Sequence, residues 1–174
     1  MNDILIVDNK TVTKLDKKQI IPFNSTQVKQ KMEYYCNYQD RCHDEINSKL
    51  FTYKILESER NEIIVYLIEN NFLNETRFAC SFARGKHRMS SWGRNRIVNE
   101  LKFRHISTFN IKKALQEFSD DEYLETFAKL ADRCWNGIGE RNATKKRKKF
   151  CDYMLRKGYE SNLVFDKVKE FEQT

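Results

Sequence analysis

The stretch that decides the fold is RNRIVNELKFRHI, residues 94–106, in which Ile97 and Leu101 are four positions apart and Ile106 follows. Four positions are about one helical turn, so Ile97 and Leu101 share one face of a helix. The arrangement also occurs earlier, at Glu45-Ile46-x-x-x-Leu50, and returns loosely at Phe150-Cys151-x-x-x-Leu155. Such self-similarity indicates a repeated structural unit.

The three copies continue alike beyond the leucine. In each copy an apolar residue comes next, and a polar turn and a further apolar pair with helical spacing follow it. The single apolar residues are Ile55, Ile106 and Tyr159, and the pairs are Ile63/Leu67, Ile111/Leu115 and Val164/Val168. We therefore predict an all-α protein of three tandem, helix-turn-helix-like modules of three helices each, in an elongated arrangement. The predicted modules are residues 25–73, 74–118 and 119–174, and residues 1–24 form an N-terminal arm or a small hairpin.

Local signals predict particular helices. The stripe Ile111, Ala114, Leu115 and Phe118 predicts an amphipathic helix that extends to Phe118. Ser119 with Glu122 matches a capping box, so the next helix is expected to begin just after Ser119. Residues 63–68 are rich in β-branched side chains, but their polar flanks favour a helix.

Composition excludes several protein classes. Glycine and proline together number only six in 174 residues, which argues against a β-sandwich or barrel with tight turns. No apolar run has the length of a membrane span, and Ile4 to Val7 lacks the features of a secretory signal. The five cysteines include no C-x-x-C pair, which predicts reduced thiols. We expect a cytoplasmic protein.

The formal net charge of +7 is concentrated in two segments, which sum to +8 at residues 84–113 and +6 at residues 140–158. Basic segments of this kind attract polyanions, so a nucleic acid or a nucleoprotein is the expected partner. The candidate binding residues of the first basic block are Arg84, Lys86, Arg88, Arg94, Arg96, Lys102, Arg104, Lys112 and Lys113. Those of the second basic block are Lys145, Lys146, Arg147, Lys148, Lys149, Arg156 and Lys157.

Aromatic residues interleave with the cations of the first basic block, at Trp92, Phe103 and Phe109. Proteins that bind single strands use this composition for base stacking combined with phosphate contact. The structural alternative is that Trp92 packs at a helix start and the two phenylalanines belong to the core, and this is the expectation we adopt.

Signals for catalysis are weak. The acidic run Asp120 to Glu125 lacks the glycine-bearing loop of a cation site, and Gly137-Ile138-Gly139 and Gly85-Lys86 fail as nucleotide-binding motifs. Nothing in the spacing of the three histidines and five cysteines predicts a catalytic pair. We therefore expect no enzyme, no cofactor and no metal.

Three further segments stand out, which are residues 71–79 (NFLNETRFA), residues 92–101 (WGRNRIVNEL) and residues 149–160 (KFCDYMLRKGYE). Together they resemble the RecX family of regulatory proteins, which are bacterial modulators of the RecA recombinase. The chain departs from the family pattern where Asn71 and His105 replace usual glycines and Asn74 replaces an acidic residue. Asparagine tolerates the left-handed conformation and caps helices well, so the turn and the helix start are expected to persist. The resemblance covers about Gln27 to Phe171.

The resemblance implies a monomeric, non-enzymatic regulator in DNA repair, homologous recombination and the SOS response. It implies binding to RecA and to the RecA filament on single-stranded DNA, mainly with inhibition of the recombinase, ATPase and coprotease activities. Weak direct binding to DNA stays open as a further contact. One alternative is a helix-turn-helix protein that acts directly on DNA, for which Lys112 and Lys113 are the only cations on the third helix of the second module. A nuclease is the other, and it lacks a catalytic cluster.

Overall fold

The computed structural model describes residues 24–173, within which nine α-helices and one 3-10 turn occur and no strand is found. The predicted all-α fold is confirmed, whereas the N-terminal arm lies almost wholly outside the described residues. The elements are α1 (Ser25–Tyr38), α2 (His43–Phe51), α3 (Glu57–Glu69), α4 (Glu75–Ser90), α5 (Arg94–Phe103), α6 (Thr108–Ala114), the 3-10 turn (Leu115–Glu117), α7 (Asp120–Gly137), α8 (Ala143–Lys157) and α9 (Ser161–Gln173).

The helices group in threes as α1–α3, α4–α6 and α7–α9, as the repeat predicted. Module boundaries after residues 73 and 118 stay a prediction. Within residues 24–173, no helix combines the length and apolar character needed to cross a bilayer.

Side-chain caps fix several helix starts. Asn74 Oδ1 accepts a hydrogen bond from Arg77 N at 2.9 Å, and Ser119 Oγ accepts one from Glu122 N at 3.1 Å. Each bond satisfies a backbone donor that the first helical turn leaves unpaired. The predicted start of α7 after Ser119 is confirmed, although the Glu122 carboxylate pairs with Arg88 instead of completing a capping box.

The repeat is visible in the turns that follow α2, α5 and α8. Lys54, His105 and Gly158 all have positive φ angles, of 55°, 57° and 91°, and each directly precedes the apolar residue of the repeat. The left-handed conformation at this position ends the helix and returns the chain toward the core. Asn71 also has a positive φ, of 57°, as expected for the residue that stands where glycine is usual.

The predicted register of the third copy is wrong by one residue. Phe150 and Met154 are fully buried, whereas Leu155 is 41% exposed. Met154 therefore corresponds to Leu50 and Leu101, because it too lies four residues before the left-handed turn residue. A second correction concerns α6, which ends at Ala114; Phe118 is buried but lies in extended backbone after the 3-10 turn.

Two separate cores hold the fold together. The first core lies within the first module and the joint core spans the second and third modules. Their buried members include Val28, Met32, Ile46, Leu50, Ile63 and Leu67 in the first core, and Phe78, Ile97, Leu101, Ile111, Tyr123, Phe150, Met154, Tyr159 and Val164 in the joint core. Cys42 belongs to the first module but is buried in the joint core, so it anchors one module on the next.

The second and third modules meet through two glycines. A Cβ atom on Gly93 would lie 2.3 Å from the carbonyl carbon and oxygen of Gly158, and one on Gly158 would lie 2.3 Å from Arg96 Cβ. This approach allows Gly93 N to donate to Lys157 O at 2.8 Å and Asn95 N to donate to Gly158 O at 3.0 Å. The amino end of α5 thus receives the carbonyls at the carboxyl end of α8, an arrangement that both helix dipoles favour.

Candidate partner-binding surface

Three arginines of the first basic block form ion pairs with carboxylates of the same chain. Arg84 Nη1 lies 2.6 Å from Glu117 Oε2, and Arg88 Nε lies 2.7 Å from Glu122 Oε1. Arg94 pairs with Asp120 in the same way. The Arg88 guanidinium holds the pKa of the Glu122 carboxyl below its usual range. These pairs link α4 and α5 to the 3-10 turn and α7, so the three arginines already have carboxylate partners within the fold.

A second part of this block is stacked on aromatic rings. Arg96 Cζ lies 3.9 Å from the centre of a Trp92 ring, with Lys86 Nζ 5.0 Å from a Trp92 ring. Arg104 Cζ lies 5.0 Å from the Phe82 ring centre, and its Nη1 also binds the Glu100 carboxylate at 2.7 Å. Cation–π contact fixes the position of a charge without neutralising it. Lys86 and Arg96 therefore remain available to an anion.

The remaining cations of this block carry uncompensated charge. Lys102, Lys112 and Lys113 are exposed and make no ion pair with any residue among 24–173. Lys112 and Lys113 lie in the last turn of α6.

Two aromatic residues beside these lysines contradict the expectation that they belong to the core. Phe103 is 79% exposed and Phe109 is 74% exposed. Ile97, Leu101 and Ile106 are the buried residues of this part of the module. Phe103 is the last residue of α5 and does not share their buried face. Trp92 is half-buried against the joint core just before the start of α5, as expected.

The second basic block divides similarly. Arg147 forms a bidentate pair with Glu172, and Lys149 Nζ lies 3.0 Å from Glu140 Oε2. The Lys149 ammonium lowers the pKa of the Glu140 carboxyl. Lys146 Nζ lies 4.5 Å from a Trp135 ring centre. Lys145 and Lys148 are exposed and make no ion pair among the described residues.

The two blocks meet, although we expected two separate faces. Arg96 Nη1 donates to Arg156 O at 3.2 Å, and Lys157 Nζ donates to Ser90 O at 2.9 Å. A groove of about 460 Å³ is lined here by Arg96, Phe103, Leu155 and Arg156, among others. One cation from each block therefore flanks a single groove that also exposes apolar side chains.

Sequence reasoning missed a third surface, in the first module. A groove of about 760 Å³ is lined by four tyrosines, two glutamines and three cations. We call it the tyrosine groove, and its lining is Gln27, Gln30, Lys31, Tyr34, Tyr35, Tyr38, Arg41, Lys49 and Tyr53. The signal was the recurrence of tyrosine on α1 at positions 34, 35 and 38, which places these residues along one helix face.

Residues 24–173 contain no group of three or more histidine, cysteine or carboxylate side chains able to hold a metal ion. The five cysteines are free, and burial raises the pKa of each thiol, to about 11 at Cys36. A raised pKa reduces the thiolate fraction that a nucleophile needs. His87 is fully buried and stacks on Phe118, with ring centres 4.2 Å apart. Absence of catalysis stays a prediction.

Comparison with known proteins finds similarity to one family. A family model described as the second three-helix domain of RecX matches residues 74–115. The regulatory protein RecX of Lactococcus lactis subsp. cremoris strain SK11 is 27% identical over 171 residues, covering 94% of this chain and 64% of that protein. The same-named protein of Enterococcus faecalis strain V583 is 25% identical over 147 residues, covering 80% of this chain and 55% of that protein.

Solved structures show the same fold. The crystal structure of RecX from Lactobacillus salivarius superimposes with a TM-score of 0.72, covers 86% of this chain and 97% of that one, and is 24% identical. A second crystal structure, of a regulatory protein RecX, gives a TM-score of 0.75 at 23% identity and covers 91% of this chain and 81% of that one. At these identities the structures support the fold alone. The chain spans less than two thirds of the length of the two sequence relatives, the RecX proteins of Lactococcus lactis and Enterococcus faecalis.

Proposed function

The chain belongs to the RecX family, and we propose that it binds RecA and the RecA filament on single-stranded DNA. The proposed effect is mainly inhibitory, on the recombinase, ATPase and coprotease activities of RecA. The observation that carries the proposal is the alignment with regulatory protein RecX over 171 residues, which spans all three modules.

The surface of the second and third modules supports contact with a polyanionic partner. Exposed lysines outside ion pairs occur in both modules, and Arg96 and Arg156 flank one groove between them. Two attachment points on one scaffold act in concert, because the second contact forms at a high effective concentration once the first is made. A filament that repeats its binding surface offers such paired contacts. We propose the two basic blocks as the filament or DNA contacts.

Titration of RecA filaments tests this function. RecA assembled on single-stranded DNA is incubated with increasing amounts of the protein, and sedimented protein, ATPase rate and strand exchange are measured. We expect co-sedimentation and a fall in both activities. Unaltered RecA activity at a several-fold molar excess, without co-sedimentation, would overturn the proposal.

Charge reversal tests the assigned surface. The double variants Lys112→Glu/Lys113→Glu and Lys145→Glu/Lys148→Glu remove exposed cations without breaking an ion pair between described residues. If two phosphate contacts are lost, the slope of log K against log salt flattens by about 1.4. Lys129→Glu/Lys169→Glu is the matched control, because it changes the net charge equally in exposed surface pairs outside both blocks. Equal filament binding by all three variants and the parent would show that the blocks are only solvated faces.

Direct, sequence-specific reading of duplex DNA has weaker support. α6, the third helix of the second module, is only seven residues long, and its two lysines lie in its last turn. Recognition helices generally contact bases through their amino-terminal residues. Tight binding to a defined duplex without RecA would favour this alternative.

A further inference from the structure

The tyrosine groove of the first module lies outside both basic blocks and has no role in the function proposed above. It is formed by one face of α1 together with Arg41 and the α2 residue Lys49. Tyr34 and Tyr38 are 74% and 77% exposed, although each carries a large apolar ring. Two such rings on one surface need a reason, because folding gains nothing from leaving them in water.

The spacing of these two rings suits a planar ligand. Tyr34 and Tyr38 are one helical turn apart, which corresponds to about 6 Å between their side-chain attachment points. Two successive stacking distances, each about 3.4 Å, nearly equal that separation. This separation leaves room for a nucleobase between the two attachment points, and each exposed ring offers a face for stacking.

The charges beside the rings are positive. Arg41 Cζ lies 4.0 Å from the centre of the Tyr35 ring, and Lys49 Nζ lies 5.7 Å from it. No carboxylate belongs to the lining of the groove among the described residues, although Glu45 lies 3.5 Å from Arg41 just outside it. The groove thus attracts an anion while its aromatic surface takes up flat, apolar rings.

We propose that the tyrosine groove binds single-stranded nucleic acid, with bases stacked on Tyr34 and Tyr38 and phosphates held by Lys49. Arg41, whose side chain is only 14% exposed, adds positive charge beside the Tyr35 ring. Stacking on aromatic side chains combined with a basic groove is the physical basis of single-strand binding without sequence preference. A duplex is a poorer ligand because its bases are already stacked and paired. The inference does not rest on the RecA function, because it concerns bare nucleic acid.

The test measures fluorescence anisotropy of a labelled oligothymidylate of about 12 nucleotides with the 174-residue chain and no RecA. Replacing both rings, in Tyr34→Ala/Tyr38→Ala, lowers the affinity roughly five- to a hundredfold for each stacked base lost. Tyr34→Phe/Tyr38→Phe keeps the rings and retains binding. Phe165→Ala is the matched control, because it removes a half-exposed aromatic ring from α9, far along the chain from the groove.

Two further measurements define the ligand. Lys49→Glu is expected to weaken binding and to flatten the salt dependence by about 0.7, the contribution of one phosphate on a single strand. A duplex of equal length is expected to bind more weakly than the single strand. Melting curves followed by circular dichroism check that the exposed substitutions leave the fold intact.

Three results overturn the proposal: no binding of the oligonucleotide by the parent protein, equal binding by the Tyr34→Ala/Tyr38→Ala variant, or an equal loss in the Phe165→Ala control. If the double alanine variant loses RecA filament binding while oligonucleotide binding is unchanged, the groove holds a protein segment instead, and the proposal is wrong. Failure of the RecA titration with successful oligonucleotide binding would overturn only the function proposed for the whole chain.

Discussion

At the junction between the second and third modules, Gly93 and Gly158 bring two backbones into contact, whereas the same positions of the repeat at the first junction are Cys42 and His105. Backbone hydrogen bonds cross the second junction, and its cores merge. Among residues 24–173, no backbone hydrogen bond joins the first module to the second.

The first junction depends on side chains. Arg77 Nε lies 2.6 Å from Asp40 Oδ1, and the Arg77 guanidinium also donates to the carbonyls of Asn71 and Phe72. His105 Nε2 lies 3.8 Å from Asp44 Oδ2. The two junctions thus differ at one pair of repeat positions, where glycines allow backbone contact at the second junction and larger residues stand at the first. We therefore expect the first module to open locally at a lower free energy than the other two.

The largest effect is expected from Gly93→Ala. The new Cβ would meet backbone atoms that cannot move aside, so we expect the free energy of unfolding to fall by about 3 kcal/mol. Gly85→Ala is the matched control, because nothing lies within 4 Å of the added methyl and alanine favours the helix. Chemical denaturation measures both variants, and a small effect of Gly93→Ala would show that the second junction is not closely packed.

Removal of the ionic contact should act on the first junction. For Arg77→Met we expect a loss of about 2 kcal/mol, since one ion pair and several hydrogen bonds to a charged donor disappear. Hydrogen exchange should become faster in α1–α3 and stay unchanged in α7–α9. A uniform increase along the chain would contradict the separation of the two cores.

Alkaline pH should weaken the joint core. Burial raises the pKa of the Tyr159 hydroxyl above its ordinary value of about 10, and this hydroxyl has no hydrogen-bond partner among residues 24–173. Above that pH the unfolded chain releases a proton that the folded chain retains, so stability is full below about pH 10 and falls as pH rises. At pH 7, Tyr159→Phe should therefore leave the free energy of unfolding nearly unchanged. Between pH 7 and pH 11, the variant should lose about 1.4 kcal/mol less of this free energy than the parent does. Parallel pH profiles of the two proteins would refute this.

The smallest effect is expected at His105. At the positive φ of His105, glycine would avoid a backbone strain of about 1 kcal/mol in the folded chain. The greater conformational freedom of glycine in the unfolded chain offsets about half of that gain. His105→Gly should thus stabilise the protein by about 0.5 kcal/mol, measured by thermal melting. A loss of stability would show that the contact with Asp44 matters more than the backbone strain.

The sequence predicted what short-range rules determine. Ser119 and Asn74 cap helices, Asn71 adopts the left-handed conformation, and the Ile46 and Ile97 copies are in register, because these features depend on neighbouring residues. The contact between Gly93 and Gly158 could not be predicted, since it joins residues far apart in the chain.

The candidate surface was less predictable for the same reason. The assignment of Arg84, Arg88 and Arg94 to a partner stays a prediction, but the sequence did not reveal that they pair with carboxylates 26 to 34 residues further on. The acidic segment that follows the first basic block was a usable signal of this. Phe103 was assigned to the core because its type is apolar, whereas its exposure depends on where α5 ends.

The central proposal, that the chain regulates the RecA filament, is tested most directly by one sedimentation experiment with three samples: RecA alone, single-stranded DNA alone and the assembled filament. The account predicts that the filament retains more of the protein than either component does, and that its ATPase rate falls as the protein is retained. Equal retention on bare DNA and on the filament, with an unchanged ATPase rate, would contradict it.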